Sequence, residues 1–190
     1  MGYAAFLTDV RKDHDRAQKL YERALKANPN DAIVLGNYAA FLTGVRKKYD
    51  RARKLYEHAL KADPNDANNL GNFAGLMFIL NNGNAANELL QRAIAAETKD
   101  PAENLATELC FYVFANGPEK GRPAGLAKLK RLLVKRGARS PDWDLSKNVE
   151  RATKDRHPDS KWLGKLADVI NGKADPSVLD DWPAWKNTKV

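Results

Sequence analysis

Residues 2–35 and 36–70 are two copies of one pattern. Tyr3 recurs as Tyr38, Tyr21 as Tyr56, Pro29 as Pro64 and Asp31 as Asp66, always 35 residues later. A fixed period of roughly 20–50 residues marks supersecondary units stacked in a row, each burying a face of its neighbour. A single closed core is thereby excluded for the first half of the chain, and an extended surface for binding is expected in its place.

One unit can be read from 31–65. Asp31 is an N-cap candidate, because its carboxylate can accept from the free N–H groups of a first helical turn. From Ala32 to Val45 there is no charge, and Ile33, Val34, Leu35, Tyr38, Phe41, Leu42 and Val45 lie all round the segment. A helix apolar on every side is buried on several sides. The stretch Arg46–Asp50 breaks the pattern and reads as a turn. From Arg51 to Ala62 the apolar set narrows to Ala52, Leu55, Tyr56, Ala59 and Leu60, one helical face, with Arg51, Arg53, Lys54, Glu57 and Lys61 opposite. Asp63-Pro64-Asn65 stops this second helix, since proline lacks the donor and restricts the residue before it. Ala39, Ala52 and Ala59 are small enough to let the two helices approach closely.

This unit resembles the tetratricopeptide repeat, a helix–turn–helix of about 34 residues. Its second-helix signature of alanine, aromatic, alanine and proline is met by Ala52, Tyr56, Ala59 and Pro64, and before them by Ala17, Tyr21, Ala24 and Pro29. The large–small pair of the first helix is Tyr38-Ala39 and then Phe73-Ala74. Two departures stand out: one extra residue per repeat, placed in the turn 46–50, and alanine where the first helix usually has glycine. The clear match runs over 2–97. The resemblance implies an all-α, right-handed α-α superhelix whose inner helices line a concave groove that receives a peptide.

Repeats are expected at about 1–30, 31–65, 66–99 and, degenerate, 100–139. The first lacks counterparts of Asp31–Leu35, so either the chain is part of a longer array or that end meets another copy, a route to self-association. The third has a turn one residue shorter, at 81–84, and no proline stop. Asp100-Pro101-Ala102-Glu103 is a capping box that opens a fourth inner helix to about Ala115, and Pro123–Arg136 is its outer partner, stopped by Gly137. Beyond Ser140 the period is lost. Helices are expected near 146–154 and 158–171, with a short turn at 176–180. Trp143, Trp162, Trp182 and Trp185 all fall here. Residues 140–190 thus read as an irregular, helical, tryptophan-rich cap on the last repeat.

The chain carries a formal charge of +8, and all of the excess lies between 116 and 165, where 14 basic residues face 6 acidic ones. Lys128, Lys130, Arg131, Lys135, Arg136 and Arg139 cluster on and just beyond one amphipathic helix. Such a patch is either a solvated outer face or a dock for nucleic acid, an anionic membrane or an acidic partner. Nucleic acid is disfavoured, because no aromatic alternates with the basic residues.

No chemical site converges. The three histidines and the lone Cys110 have no zinc spacing, and there is no phosphate loop, G-x-S-x-G or His-Glu-x-x-His. No cofactor or metal is expected, nor catalysis. Cys110 reads as a buried small hydrophobe in a reducing cytoplasm. No apolar run approaches the roughly 18 residues of a membrane span, and the first residues do not look like a signal peptide. Arg156-His157-Pro158-Asp159 contains the His-Pro-Asp tripeptide of J-domain cochaperones. The tyrosine-bearing helix of that family is missing, so the structural reading is that Pro158 and Asp159 open a helix.

The expected function is that of a non-catalytic scaffold binding a protein or peptide. If Leu35, Tyr38, Ala39 and Leu42 are buried, the groove side carries Asn37, Ala40 and Thr43, beside Ile33, Gly36 and Gly44. In the next repeat it carries Asn68, Asn72 and Gly75, beside Gly71, Phe78 and Ile79. Asn37 and Asn72 are in register, and an asparagine amide can pair with both backbone groups of one peptide residue. The alternative is an interaction module that docks nucleic acid or an acidic partner on the basic hairpin 122–139.

Overall fold

Asp31 and Asp66 start equivalent helices in the same way. Asp31 Oδ1 accepts from the backbone N–H groups of Ile33 and Val34 at 3.1 and 3.0 Å, and Asp66 Oδ1 from that of Asn69 at 2.7 Å. The computed structural model describes residues 13–96, 103–140 and 144–189, and among them there is no strand. Tyr3, Phe6, Trp143 and the Asp100–Ala102 part of the expected capping box lie outside the described residues.

The helices are α1 (His14–Ala27), α2 (Ala32–Phe41), α3 (Tyr49–Ala62), α4 (Ala67–Ile79), α5 (Gly83–Ala96), α6 (Glu103–Ala115), α7 (Arg122–Lys130), α8 (Ser146–Lys154), α9 (Ser160–Ile170) and α10 (Pro183–Asn187). The pairs α2/α3, α4/α5 and α6/α7 pack most extensively, and each inner helix also touches the outer helix before it. The inner helices α2, α4 and α6 contact one another in turn. This is an α-solenoid with α2, α4 and α6 on the inside.

Its core is the apolar set read from the sequence. Leu35, Tyr38, Ala39, Ala52, Tyr56, Ala59, Leu70 and Ala74 are all buried. Aromatic contacts join successive units: Tyr21 stacks on Tyr38 at 5.2 Å, and Tyr56 on Phe73 at 5.4 Å. Both arrangements are favoured offset geometries. The outer helices end alike, with Asn28 and Asp63 both at φ −136° just before Pro29 and Pro64.

The extra residue of the second repeat is not in the loop where the sequence pattern put it. It is absorbed by one π-helical turn, Leu42–Arg46, that continues α2. Lys47 then reverses the chain at φ 55°, and Lys48 N–H closes on the Leu42 carbonyl at 2.9 Å. The turn expected over 46–50 is therefore Lys47-Lys48 alone, with Tyr49 and Asp50 already in α3. The third repeat has no such bulge, so α4 runs straight to Ile79. A second π turn, Arg131–Lys135, continues α7 up to Gly137, whose φ of +65° suits glycine.

Trp162, Trp182 and Trp185 form a ladder at 5.9 and 6.3 Å that leans on Phe114 of α6. From that body α8 extends along the inside of the solenoid and touches both α4 and α6.

Candidate functional site

The inner wall is built by helical periodicity. On α2, burial of Leu35, Tyr38 and Ala39 turns Asn37 outward and leaves Ala40 half-buried. Ile33, one turn earlier, is 68% exposed, an unusual position for an isoleucine. Thr43 is half-buried and its hydroxyl donates to the Ala39 carbonyl at 2.9 Å, so it offers little to a ligand. On α4, Asn68 is exposed and Asn72 half-buried. No protein group among the described residues hydrogen-bonds the Asn37 or Asn72 amide.

Four expected wall residues lie elsewhere. Gly36 and Gly71 are at the contacts between inner helices. A Cβ on Gly36 would sit 1.7 Å from Asn69 Oδ1, and one on Gly71 would sit 2.9 Å from Leu109. Asn69, only 4% exposed, donates to the Ala32 carbonyl at 3.2 Å and so fastens α4 to α2. Sequence reasoning missed this residue, because nothing separates Asn69 from Asn68 and Asn72 in composition. Its only signal is the glycine at the facing position. Gly75 is buried, because Tyr112 covers its Cα and Asn148 Nδ2 of α8 donates to its carbonyl at 3.2 Å. Phe78 is buried against the same Tyr112, 6.3 Å away. The open wall therefore runs along α2 and the first half of α4, and α8 closes the rest.

The wall has no charge of its own on α2 or α4. A charged pair, Lys47–Asp144 at 2.7 Å, stands where the α2–α3 turn meets the approach to α8. Partial burial pushes the Asp144 carboxyl up, but hydrogen bonds from Lys47 and Ser146 hold it below the usual carboxylate range.

The basic cluster is divided. Lys130 is spent on the fold: its ammonium donates to the carbonyls of Trp185 and Thr188 at 2.7 and 3.0 Å and lies 5.4 Å from the Trp185 ring. Arg139 likewise donates to the carbonyls of Leu133 and Ala138. Lys128, Arg131, Lys135 and Arg136 are exposed. Lys128 and Arg136 also make an interaction of their own.

The His-Pro-Asp tripeptide is a buried joint. His157 is 3% exposed, its Nδ1 accepts from the Asp159 N–H, and its Nε2 pairs with the Phe114 carbonyl at 3.0 Å. With Nδ1 as acceptor, Nε2 carries the proton and the ring is neutral. Burial pushes its pKa down, while the Phe114 carbonyl opposes. Asp159 accepts from the Trp182 indole at 2.8 Å, and α9 starts at Ser160, two residues after Pro158. A second buried group, Glu108 of α6, is only 6% exposed and accepts from the Ser140 hydroxyl. Desolvation raises its pKa to about 8. The sequence carries no warning of it, since α6 lies beyond the clear repeats. Cys110 is buried. Among the described residues no three His, Cys, Asp or Glu side chains converge as a metal site, and no helix is long and apolar enough to cross a membrane.

Two family models, both described as tetratricopeptide repeat, match the chain at residues 46–106 and 11–31. No curated protein matches it.

Proposed function

Because the chain is a tetratricopeptide repeat protein, a type of protein–protein interaction module, we propose that it binds an extended segment of a protein partner along the open wall of α2 and α4. Asn37 and Asn72 clasp the partner's backbone, and Ile33 and Ala40 lie against its side chains. One contrast supports this most. Asn69 is buried and consumed by the Ala32 carbonyl, whereas the amides of exposed Asn37 and half-buried Asn72 have no hydrogen-bond partner among the described residues. An amide presents two donors and an acceptor, enough to hold one peptide unit with little regard for its side chain. With no charge on the wall, affinity comes from these hydrogen bonds and from apolar contact. The chain acts as a scaffold and carries no catalytic step.

The test is an Asn37→Ala/Asn72→Ala double variant, titrated against the partner recovered by pull-down from the native cell. Losing several backbone hydrogen bonds at about 0.5–1.5 kcal/mol each weakens binding by roughly tenfold or more. Unfolding stability stays within about 0.5 kcal/mol, as for other exposed helix positions. Undiminished binding by the double variant rejects the proposed site.

A further inference from the structure

The chain holds one helix against its own inner wall, and the way it is held is informative. α8 buries Leu145 beside its first turn, Asn148 and Ala152, each 1% exposed. Of these only Leu145 is a large apolar side chain. α9, by contrast, buries Trp162, Leu163, Leu166, Ala167, Val169 and Ile170. The outer face of α8 is satisfied without the solenoid: Glu150 bridges Lys147 and Lys154, and Arg151 grips Asp155 with two hydrogen bonds. Such a helix keeps its own surface contacts wherever it lies.

The attachments on either side of α8 are made mostly to other elements, although α8 also packs against α9 and its Ala152 carbonyl accepts from the His157 N–H at 3.0 Å. Ser140 is fixed by its N–H to the Ile170 carbonyl, by Asn171 and by Glu108. His157 is fixed to the Phe114 carbonyl, and Asp159 to Trp182. Between α8 and His157 stands Arg156 at φ 57°, a reversal that ends α8 and is closed by the Arg156 and His157 N–H groups on the Thr153 and Ala152 carbonyls at 3.1 and 3.0 Å. Beyond Leu145, Ala152 and the half-buried Val149, three polar contacts among the described residues join α8 to the repeats. Asn148 Nδ2 donates to the Gly75 carbonyl, Asn116 Nδ2 donates to the Asn148 carbonyl, and Lys47 pairs with Asp144. The fit is incomplete, because Asn116 Oδ1 is buried at this contact with no donor.

We propose that α8 is a strap occupying a helix-binding site in cis, and that an amphipathic helix of a partner replaces it on the α4/α6 wall. The partner helix carries an apolar residue, an amide and a small residue at the spacing of Leu145, Asn148 and Ala152, with an additional donor for Asn116. This rests on the inner wall being the partner side, and it extends that wall from α2/α4 to α6. While the strap is down, a partner reaches only the first half. When the strap lifts, the whole wall opens.

The experiment uses the full chain and a fluorescein-labelled peptide of residues 144–155. An Asp144→Lys/Leu145→Lys variant repels Lys47 and loses the buried leucine while leaving the wall intact. The peptide binds this variant saturably and at least about tenfold more tightly than the unsubstituted chain, whose site is filled from within. The same peptide carrying Asn148→Asp does not bind. Equal affinity for the two chains, or equal binding by the altered peptide, overturns the strap. Hydrogen exchange on the unsubstituted chain tests the same point independently should the variant fail to fold. Amides of 150–155 exchange at least about tenfold faster than those of 164–170, because the strap opens before the body beneath it. Exchange of both segments at one rate overturns the proposal. The Asn37 and Asn72 amides make no hydrogen bond to α8, so either result leaves their test unaffected.

Discussion

Replacing Glu108 with Gln should stabilise the protein relative to the parent by an amount that grows as pH rises. The carboxyl is buried on α6 with the Ser140 hydroxyl as its hydrogen-bond donor, and its pKa stands at about 8 against 4.5 for an unperturbed glutamate. The folded state therefore holds a proton that the unfolded chain releases. Folding stability is highest below pH 4.5 with respect to this group, declines from there upward and levels off above 8. At 1.36 kcal/mol per pH unit, holding that proton costs less than about 1 kcal/mol at pH 5 and about 3 kcal/mol at pH 7. Above pH 8 the penalty for burying the group reaches its limit of about 5 kcal/mol. Glutamine has the same shape and no charge, so the variant lacks this slope. The extra amide N–H groups introduce a desolvation cost of about 1–3 kcal/mol that is the same at every pH. Urea unfolding of both proteins at pH 5, 7 and 9 measures the difference directly. The gap between variant and parent should widen by about 4 kcal/mol across that range in favour of the variant. A gap independent of pH would show that Glu108 ionises in the fold as it does in water, and the reasoning would fail.

Tyr56→Ala removes a ring that is 1% exposed and stacked on Phe73. It should destabilise by about 3–5 kcal/mol in urea melts, and a loss below about 1 would mean the ring is not core. Gly36→Ala drives a methyl into Asn69 and should cost about 1–3 kcal/mol, part of which Asn69→Ala restores. Additivity in that double-mutant cycle would deny the contact. His157→Gln should remove a loss of stability on the acid side. The buried ring has a lowered folded pKa, so the unfolded chain takes up a proton first as pH falls below about 6.5. Identical acid melts for variant and parent would contradict that.

The sequence alone determined the repeat, the identity of the core and most helix ends. These are local or periodic properties: Asp31 caps whatever helix follows it, Pro64 stops whatever precedes it, and the spacing of Leu55, Tyr56 and Ala59 selects one face. Hydrophobic periodicity also placed Asn37 and Asn72 away from the core. It could not say how neighbouring helices meet, because that depends on crossing geometry between residues far apart in the chain. Only the tertiary structure decided that Gly36 and Gly71 receive the next inner helix, and that Asn69 is a fastener while Asn68 is not. Packing likewise turned Lys130 and Arg139 from members of an expected basic patch into ties for carbonyls, and made His157 a joint of the tail. The largest change concerns the groove itself. Past residue 140 the period is gone, and with it any sequence signal for where a helix docks. A nine-residue segment, α8, that buries only Asn148 and Ala152 could lie on several surfaces with similar local energies. The carbonyl of Gly75 and the amide of Asn116, brought together only by the stacked inner helices, select one of them.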